Sequence, residues 1–165
     1  MIAPSVTPKR VLMPGEWALM ETEGLVETLL GSCVALTIWD PVTLVGACCH
    51  YLLPGTGHEV DDVEGKYGRR VIPAMLHRFR LRGIPPSRCV YKLFGGGRMF
   101  FGDVGDIGAQ NILCARELLR RAGVALTAES VGDEGHRKIR LDVRNGSVEV
   151  EFHPLAGGPE RISRS

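Results

Sequence analysis

LVETLLGSCVALTIWDP (25–41) followed by LVGACCHYLLPG (44–55) decides the fold. LVETLL (25–30) and CVALTIWD (33–40) are rich in strand formers and are broken only by Gly31-Ser32, while Asp40-Pro41 marks a turn. LVGACCHYLLP (44–54) is nearly continuously apolar, as expected of a strand buried on both faces. A thiol, Cys33, stands at the mouth of one run, and an imidazole, His50, stands near the end of the next, seventeen positions later. Strands lying side by side bring nucleophile and base together, the minimal apparatus for attacking an amide carbon.

On the N-terminal side, residues 1–14 read as an extended arm with Pro4, Pro8 and Pro14, and GEWALMETEG (15–24) carries a short strand. On the C-terminal side, GTGHEVDDVEGKYG (55–68) is a polar, glycine-rich loop. RRVIPAMLHRFRLRG (69–83) has helical spacing of apolar residues, with Pro73 tolerated in the first turn and Gly83 as the stop. SRCVYKLFGGG (87–97) is a strand ending in three glycines. GDIGAQNILCARELLRRAG (105–123) is the clearest helix, with Ile112, Leu113, Ala115, Leu118 and Leu119 as its apolar face. Three strands follow, with Asn145-Gly146 as the hairpin signal between the last two, and the tail over 153–165 reads as frayed. Strands, helix, strand, helix and strands with antiparallel hairpins make an α+β domain over 15–152 with mixed sheets and two principal helices, not a doubly wound fold.

The chain has 165 residues, enough for one domain with a hydrophobic core, and 44% of them are hydrophobic. A formal net charge of +1 gives no electrostatic case for nucleic acid or an anionic membrane as partner. No apolar stretch reaches the roughly 20 residues that span a bilayer, and the N-terminus has no signal-peptide h-region, so a cytoplasmic protein is expected. Five cysteines at irregular spacing contain no CxxC, which excludes a zinc ribbon or thioredoxin-type motif. Cys48, Cys49, Cys89 and Cys114 read as small hydrophobes of a reduced compartment.

A lone cysteine or histidine in an apolar strand is usually packing. The context of Cys33 differs, because Gly31 lets the backbone turn tightly and Gly31-Ser32 places N–H groups beside the thiol as an oxyanion hole. His50 stands where an apolar strand meets a Pro-Gly turn, a position from which it can accept the thiol proton and return it to a leaving amine. His58, His77, His136 and His153 read as solvated. GGGRMFFGDVGDIG lacks GxxxxGK[ST] and fails GxGxxG, so it reads as a turn into the second helix, and the arginines at 69, 70, 78, 80 and 82 read as a solvated face.

LLGSCVALTIWDP with GACCHYLLP, then GGGRMF, IGAQN and SVGDEGHRKIRLDVRNGSVEV, occur in the same order as in CheD proteins. From Gly15 to about Phe152 the chain resembles the CheD family of chemoreceptor glutamine deamidases. The resemblance implies hydrolysis of glutamine side-chain amides on methyl-accepting chemotaxis proteins, releasing ammonia. Thiolate attack and a backbone oxyanion hole suffice for that chemistry, so no cofactor or metal is expected. Cys33 would be the nucleophile and His50 the base and then the acid. It also implies a three-layer β/β/α fold similar to toxin-type cysteine deamidases and, in some relatives, a CheC-type phosphatase partner.

The family's third catalytic residue is a threonine six positions before the cysteine, where this chain has Glu27; its threonine, Thr28, stands five before. On a regular strand that shift turns the side chain to the other face. Thr28 restored by an irregularity near Gly31, Glu27 orienting His50, and a pair working without a third residue are the three options, with Thr28 preferred. The alternatives to a deamidase are a non-catalytic chemotaxis adaptor, binding receptor or phosphatase, and a cysteine peptidase. Cys48-Cys49 beside His50 adds a possible redox sensitivity.

Overall fold

VALTIW and GACC alternate side chains between two buried layers, and the turn between them sets their pairing. The computed structural model, which describes residues 2–3, 6–61, 63–99 and 106–165, pairs β4 (Val34–Trp39) antiparallel with β5 (Gly46–Cys49) through Thr37↔Cys48, Ile38↔Ala47 and Trp39↔Gly46. The connecting turn is built on Asp40, whose fully buried carboxylate accepts the amides of Val42 and Thr43, both at 3.2 Å, and the Thr43 hydroxyl at 2.6 Å. Arg88 closes the site with a two-pronged ion pair at 2.8 and 2.7 Å, and its guanidinium holds the Asp40 carboxyl far below the usual carboxylate range.

These strands lie in a five-stranded sheet of order β2-β5-β4-β6-β7, completed by β2 (Trp17–Met20), β6 (Val90–Gly95) and β7 (Leu126–Val131). A second sheet has the order β1-β3-β8-β9-β10, from β1 (Lys9–Leu12), β3 (Leu25–Leu30), β8 (Gly135–Asp142), β9 (Ser147–Pro154) and β10 (Arg161–Arg164). Each sheet contains one parallel pair, β6 with β7 and β1 with β3, so both are mixed. Val26, Leu30, Ala35, Cys48, Phe94, Ile139 and Leu141 fill the space between the sheets. On the other side of the first sheet, Leu36, Ile38, Cys49 and Leu93 pack against α1 (Gly68–Leu81) and α2 (Ile107–Arg121) through Ile72, Met75, Phe79, Ile112 and Leu119. The result is the expected α+β fold in three layers, sheet on sheet on helices. Each fully buried side chain of this size stabilises it by about 1.5–3 kcal/mol.

Several local expectations are corrected. The arm expected over 1–14 supplies β1, paired parallel with β3, and the tail expected to fray supplies β10, paired antiparallel with β9. The run 44–54 forms a four-residue strand only, because Leu44 takes a positive φ of 61° before it and regular pairing ends at Cys49. Pro73 sits in the second turn of α1, since the carbonyls of Leu53 and Pro54 cap the amides of Gly68 and Arg69 at 2.9 Å and start the helix earlier. Leu113 is exposed on α2, and Asn145-Gly146 ends a four-residue connection between Asp142 and Ser147. Three of the five helix arginines are paired, Arg69 with Glu117, Arg70 with Asp61 and Arg82 with Glu21, while Arg78 lies over Trp17. Of the glycine-rich segment read as a turn into α2, residues 100–105 lie outside the described residues.

Candidate active site

Cys33 precedes β4 and His50 follows β5, and the hairpin register decides whether they meet. An isolated bridge, Val34↔Tyr51, extends the β4–β5 pairing beyond the strands, with Val34 N donating to Tyr51 O at 3.1 Å and Tyr51 N to Val34 O at 3.0 Å. Continued in that register, His50 lies opposite Ala35, and Cys33 is its diagonal neighbour on the same face, about 7 Å away between backbones. That face looks into the space between the two sheets, where Ala35 and Cys48 are buried and Cys33 packs at the margin. His50 is 2% exposed, whereas Cys33 is partly exposed. The imidazole is therefore inside and the thiol at the opening.

The opposite sheet supplies the third group. In β3, Val26, Thr28 and Leu30 point inward and Leu29 outward. Thr28 Oγ1 lies 2.7 Å from His50 Nδ1 and 2.9 Å from Leu12 O. A carbonyl only accepts, so the one hydroxyl proton goes to Leu12 and Oγ1 accepts from an Nδ1–H. This fixes the tautomer in which Nε2 is bare and free to take a proton. Glu27 is turned away, with its carboxylate 3.0 Å from Lys9 Nζ and 2.6 Å from Arg140 Nε. The main chain of His50 is also tied down, its N–H to Glu16 O at 3.1 Å and its carbonyl to Gly15 N at 2.8 Å.

Electrostatics keep the pair uncharged near neutral pH. Burial pulls the His50 imidazole down to about 4 and pushes the Cys33 thiol above its usual range, partly countered by the residue's own N–H. Cys49, pushed up to about 12, and Cys48, pushed well above the usual thiol range, are both inaccessible, which makes them poor redox centres.

Gly31 and Ser32 form the turn before the thiol, and it is held from two sides. Gly97 N donates to Gly31 O at 2.9 Å, Gly96 N to Cys33 O at 2.8 Å, and the side chain of Asn111 in α2 to Ser32 O at 3.0 Å. The glycine run is thus a cradle for the turn that carries Cys33: a Cβ on Gly95 would lie 2.3 Å from Cys33 O. Leu12, Asn111 and the three glycines are site components that motif reading missed. Asn111 and the glycines carried a signal, standing in IGAQN and GGGRMF, but nothing local told what they would hold; Leu12 carried none. His58, His77, His136 and His153 lie elsewhere, and no group of metal-binding side chains occurs among the described residues.

Comparison with known proteins converges on one family. A family model described as CheD chemotactic sensory transduction matches residues 52–152. A probable chemoreceptor glutamine deamidase CheD 2 of Albidiferax ferrireducens is 38% identical over 143 residues, covering 83% of each chain. A probable chemoreceptor glutamine deamidase CheD of Pseudomonas fluorescens is 34% identical, covering 94% of this chain and 90% of its own. The chemoreceptor glutamine deamidase CheD of Thermotoga maritima is also 34% identical, covering 93% of this chain and 96% of its own. By the family match and by these near full-length relatives, the chain belongs to the CheD family.

Proposed function

We propose that this protein is a chemoreceptor glutamine deamidase, hydrolysing side-chain amides of glutamines on methyl-accepting chemotaxis proteins to glutamate and ammonia. The names of its relatives support the reaction. The observation that carries the mechanism is the Thr28–His50 contact, which leaves Nε2 as a bare base on the face shared with Cys33.

In this mechanism Cys33 Sγ attacks the glutamine amide carbon as its proton passes to His50 Nε2. The tetrahedral oxyanion is stabilised by N–H groups of the Gly31-Ser32-Cys33 turn. His50 returns the proton to the departing nitrogen, ammonia leaves, and a γ-glutamyl thioester remains. Water then attacks the thioester, giving a proton to His50, which returns it to the Cys33 sulfur as the C–S bond breaks and glutamate is released. Every step is a proton transfer or an acyl transfer: Cys33 carries the acyl group, His50 carries the proton, and water is the co-reactant.

A cytoplasmic location is proposed with it, since the substrate is a receptor's cytoplasmic domain. Among the described residues no helix is long and apolar enough to cross a membrane. The CheC-type phosphatase implied by the family resemblance is a further proposed partner, and a single deamidase domain is proposed, built on residues 15–152 and completed by β1 and β10. The reading is tested by peptide mass spectrometry of a receptor cytoplasmic domain co-expressed with wild type or Cys33→Ala. Conversion of specific glutamines by wild type alone is expected. Binding by both proteins without conversion by either would instead describe an adaptor.

A further inference from the structure

Asn111 is fully buried in α2, on the helix side of the first sheet. Its amide donates both hydrogens to main-chain carbonyls, Ser32 O at 3.0 Å and Leu52 O at 2.8 Å. Those carbonyls belong to the two segments that carry Cys33 and His50. The Tyr51 hydroxyl also donates to Asn111 O at 2.5 Å, tying the same helical turn to the His50 segment a second time. Asn111 Oδ1 has no partner among the described residues. A buried acceptor left unpaired is unfavourable, so the side chain is held there by its two donors.

The direction of one peptide plane follows. No peptide bond here is cis, so the carbonyl of Ser32 and the N–H of Cys33 point in opposite directions. With Ser32 O held by Asn111 of α2, the Cys33 N–H points away from that helix, toward the side on which its thiol packs against the inter-sheet cluster. Among the described residues this N–H donates to no main-chain carbonyl outside the regular strands, and it lies against its own thiol, whose pKa it lowers against the effect of burial. The neighbouring carbonyls, Gly31 O and Cys33 O, are occupied by Gly97 and Gly96, so the plane between them is the one that Asn111 controls.

We infer that Asn111 is a positioning residue: by holding Ser32 O, it aims the Cys33 N–H at the oxyanion formed when the thiol attacks the amide. The inference rests on the deamidase reading and deepens it, replacing a general oxyanion turn with one donor and the side chain that orients it.

The test compares two reactions of one thiol. Alkylation by iodoacetamide displaces iodide at a saturated carbon and forms no oxyanion, so it reports the thiol and imidazole without the hole. In folded Asn111→Ala or Asn111→Ser, kcat for receptor deamidation is expected to fall about 100-fold, the scale of a lost oxyanion donor. KM and the alkylation rate of Cys33 should stay within about threefold. An unchanged kcat would overturn the inference, and so would alkylation falling in parallel with kcat, since Asn111 would then act on the thiol–imidazole pair. A wild type that converts no glutamine in the same assay removes the deamidase reading itself, whereas an active wild type with an equally active variant removes the Asn111 assignment alone. Should neither variant fold, hydrogen exchange in wild type decides. Protected Asn111 side-chain amide protons support the clamp, and exchange at the rate of a free amide overturns it.

Discussion

Thr28 Oγ1 stands between Leu12 O and His50 Nδ1, and its single proton makes it a directional relay. Glu27, one residue earlier, lies on the outer face of the same strand. Burial raises its carboxyl, but Lys9 and Arg140 more than offset this and leave it below its usual value. The two side chains therefore have separable roles. Thr28→Ala should lower kcat by about 10²-fold or more through a mis-set imidazole, and cost about 1–3 kcal/mol of stability by leaving Leu12 O and His50 Nδ1–H unpaired in the core. Glu27→Gln should leave kcat within about threefold and cost about 1 kcal/mol of stability, because both of its cationic partners are substantially exposed. Steady-state kinetics with urea unfolding measures both, and the opposite ranking of the two kcat values would assign the orienting role to Glu27. The pH dependence belongs to the same scale. An imidazole with pKa about 4 stays a neutral base well below pH 6, and a thiol above its usual range keeps its proton until attack. The expected kcat/KM is flat across neutral pH, with an acid limb near 4, where His50 takes up a proton and ceases to be a base, and an alkaline limb above the usual thiol range. An acid limb near 6.5, the ordinary imidazole value, would contradict the burial assigned to His50.

Among the elements, the β4–β5 hairpin was legible in the sequence because three signals agreed: two apolar runs, the Asp40-Pro41 turn between them, and seventeen residues from thiol to imidazole. The orientation of Thr28 was not. Counting alternate residues back from Cys33 assumes one continuous strand, but β3 ends at Leu30 and β4 begins at Val34 in the other sheet. Face parity does not carry across the break at Gly31-Ser32, so the five-residue spacing does not turn Thr28 away from His50. The strands β1 and β10 escaped notice for a different reason. KRVL and RISR lie at sheet edges and bury little, Leu12 alone being buried, so neither shows the alternation that marks a strand. The triple glycine was visible, but its purpose depends on chain segments more than sixty residues away. Gly95 has φ of +101°, and its missing Cβ makes room for Cys33 O. Gly95→Ala should destabilise the protein by about 2 kcal/mol or more and lower kcat by displacing the nucleophile turn. Unfolding within about 0.5 kcal/mol of wild type, together with full activity, would show that the glycines are not a cradle.

At the scale of the molecule, the site is a seam between layers. One sheet provides Thr28 and Leu12, the other provides Cys33 and His50, and the helix layer holds the nucleophile turn from behind through Asn111. No single element contains the machinery, so its geometry depends on the packing of all three layers. This is why the α+β class and the Cys33–His50 pair could be read from local patterns while the supporting contacts could not. Every one of those contacts joins residues of different elements. The central claim, that Cys33 carries a glutamyl group between two uncharged resting states of the pair, is tested most directly by diverting that intermediate. Receptor domain is incubated with the protein in hydroxylamine, which intercepts thioesters, and its peptides are read by mass spectrometry. Wild type should convert target glutamines partly to the γ-glutamyl hydroxamate at the expense of glutamate, and Cys33→Ala should give neither product. Glutamate formed at an undiminished rate with no hydroxamate, or conversion that persists in Cys33→Ala, would contradict a covalent mechanism through Cys33.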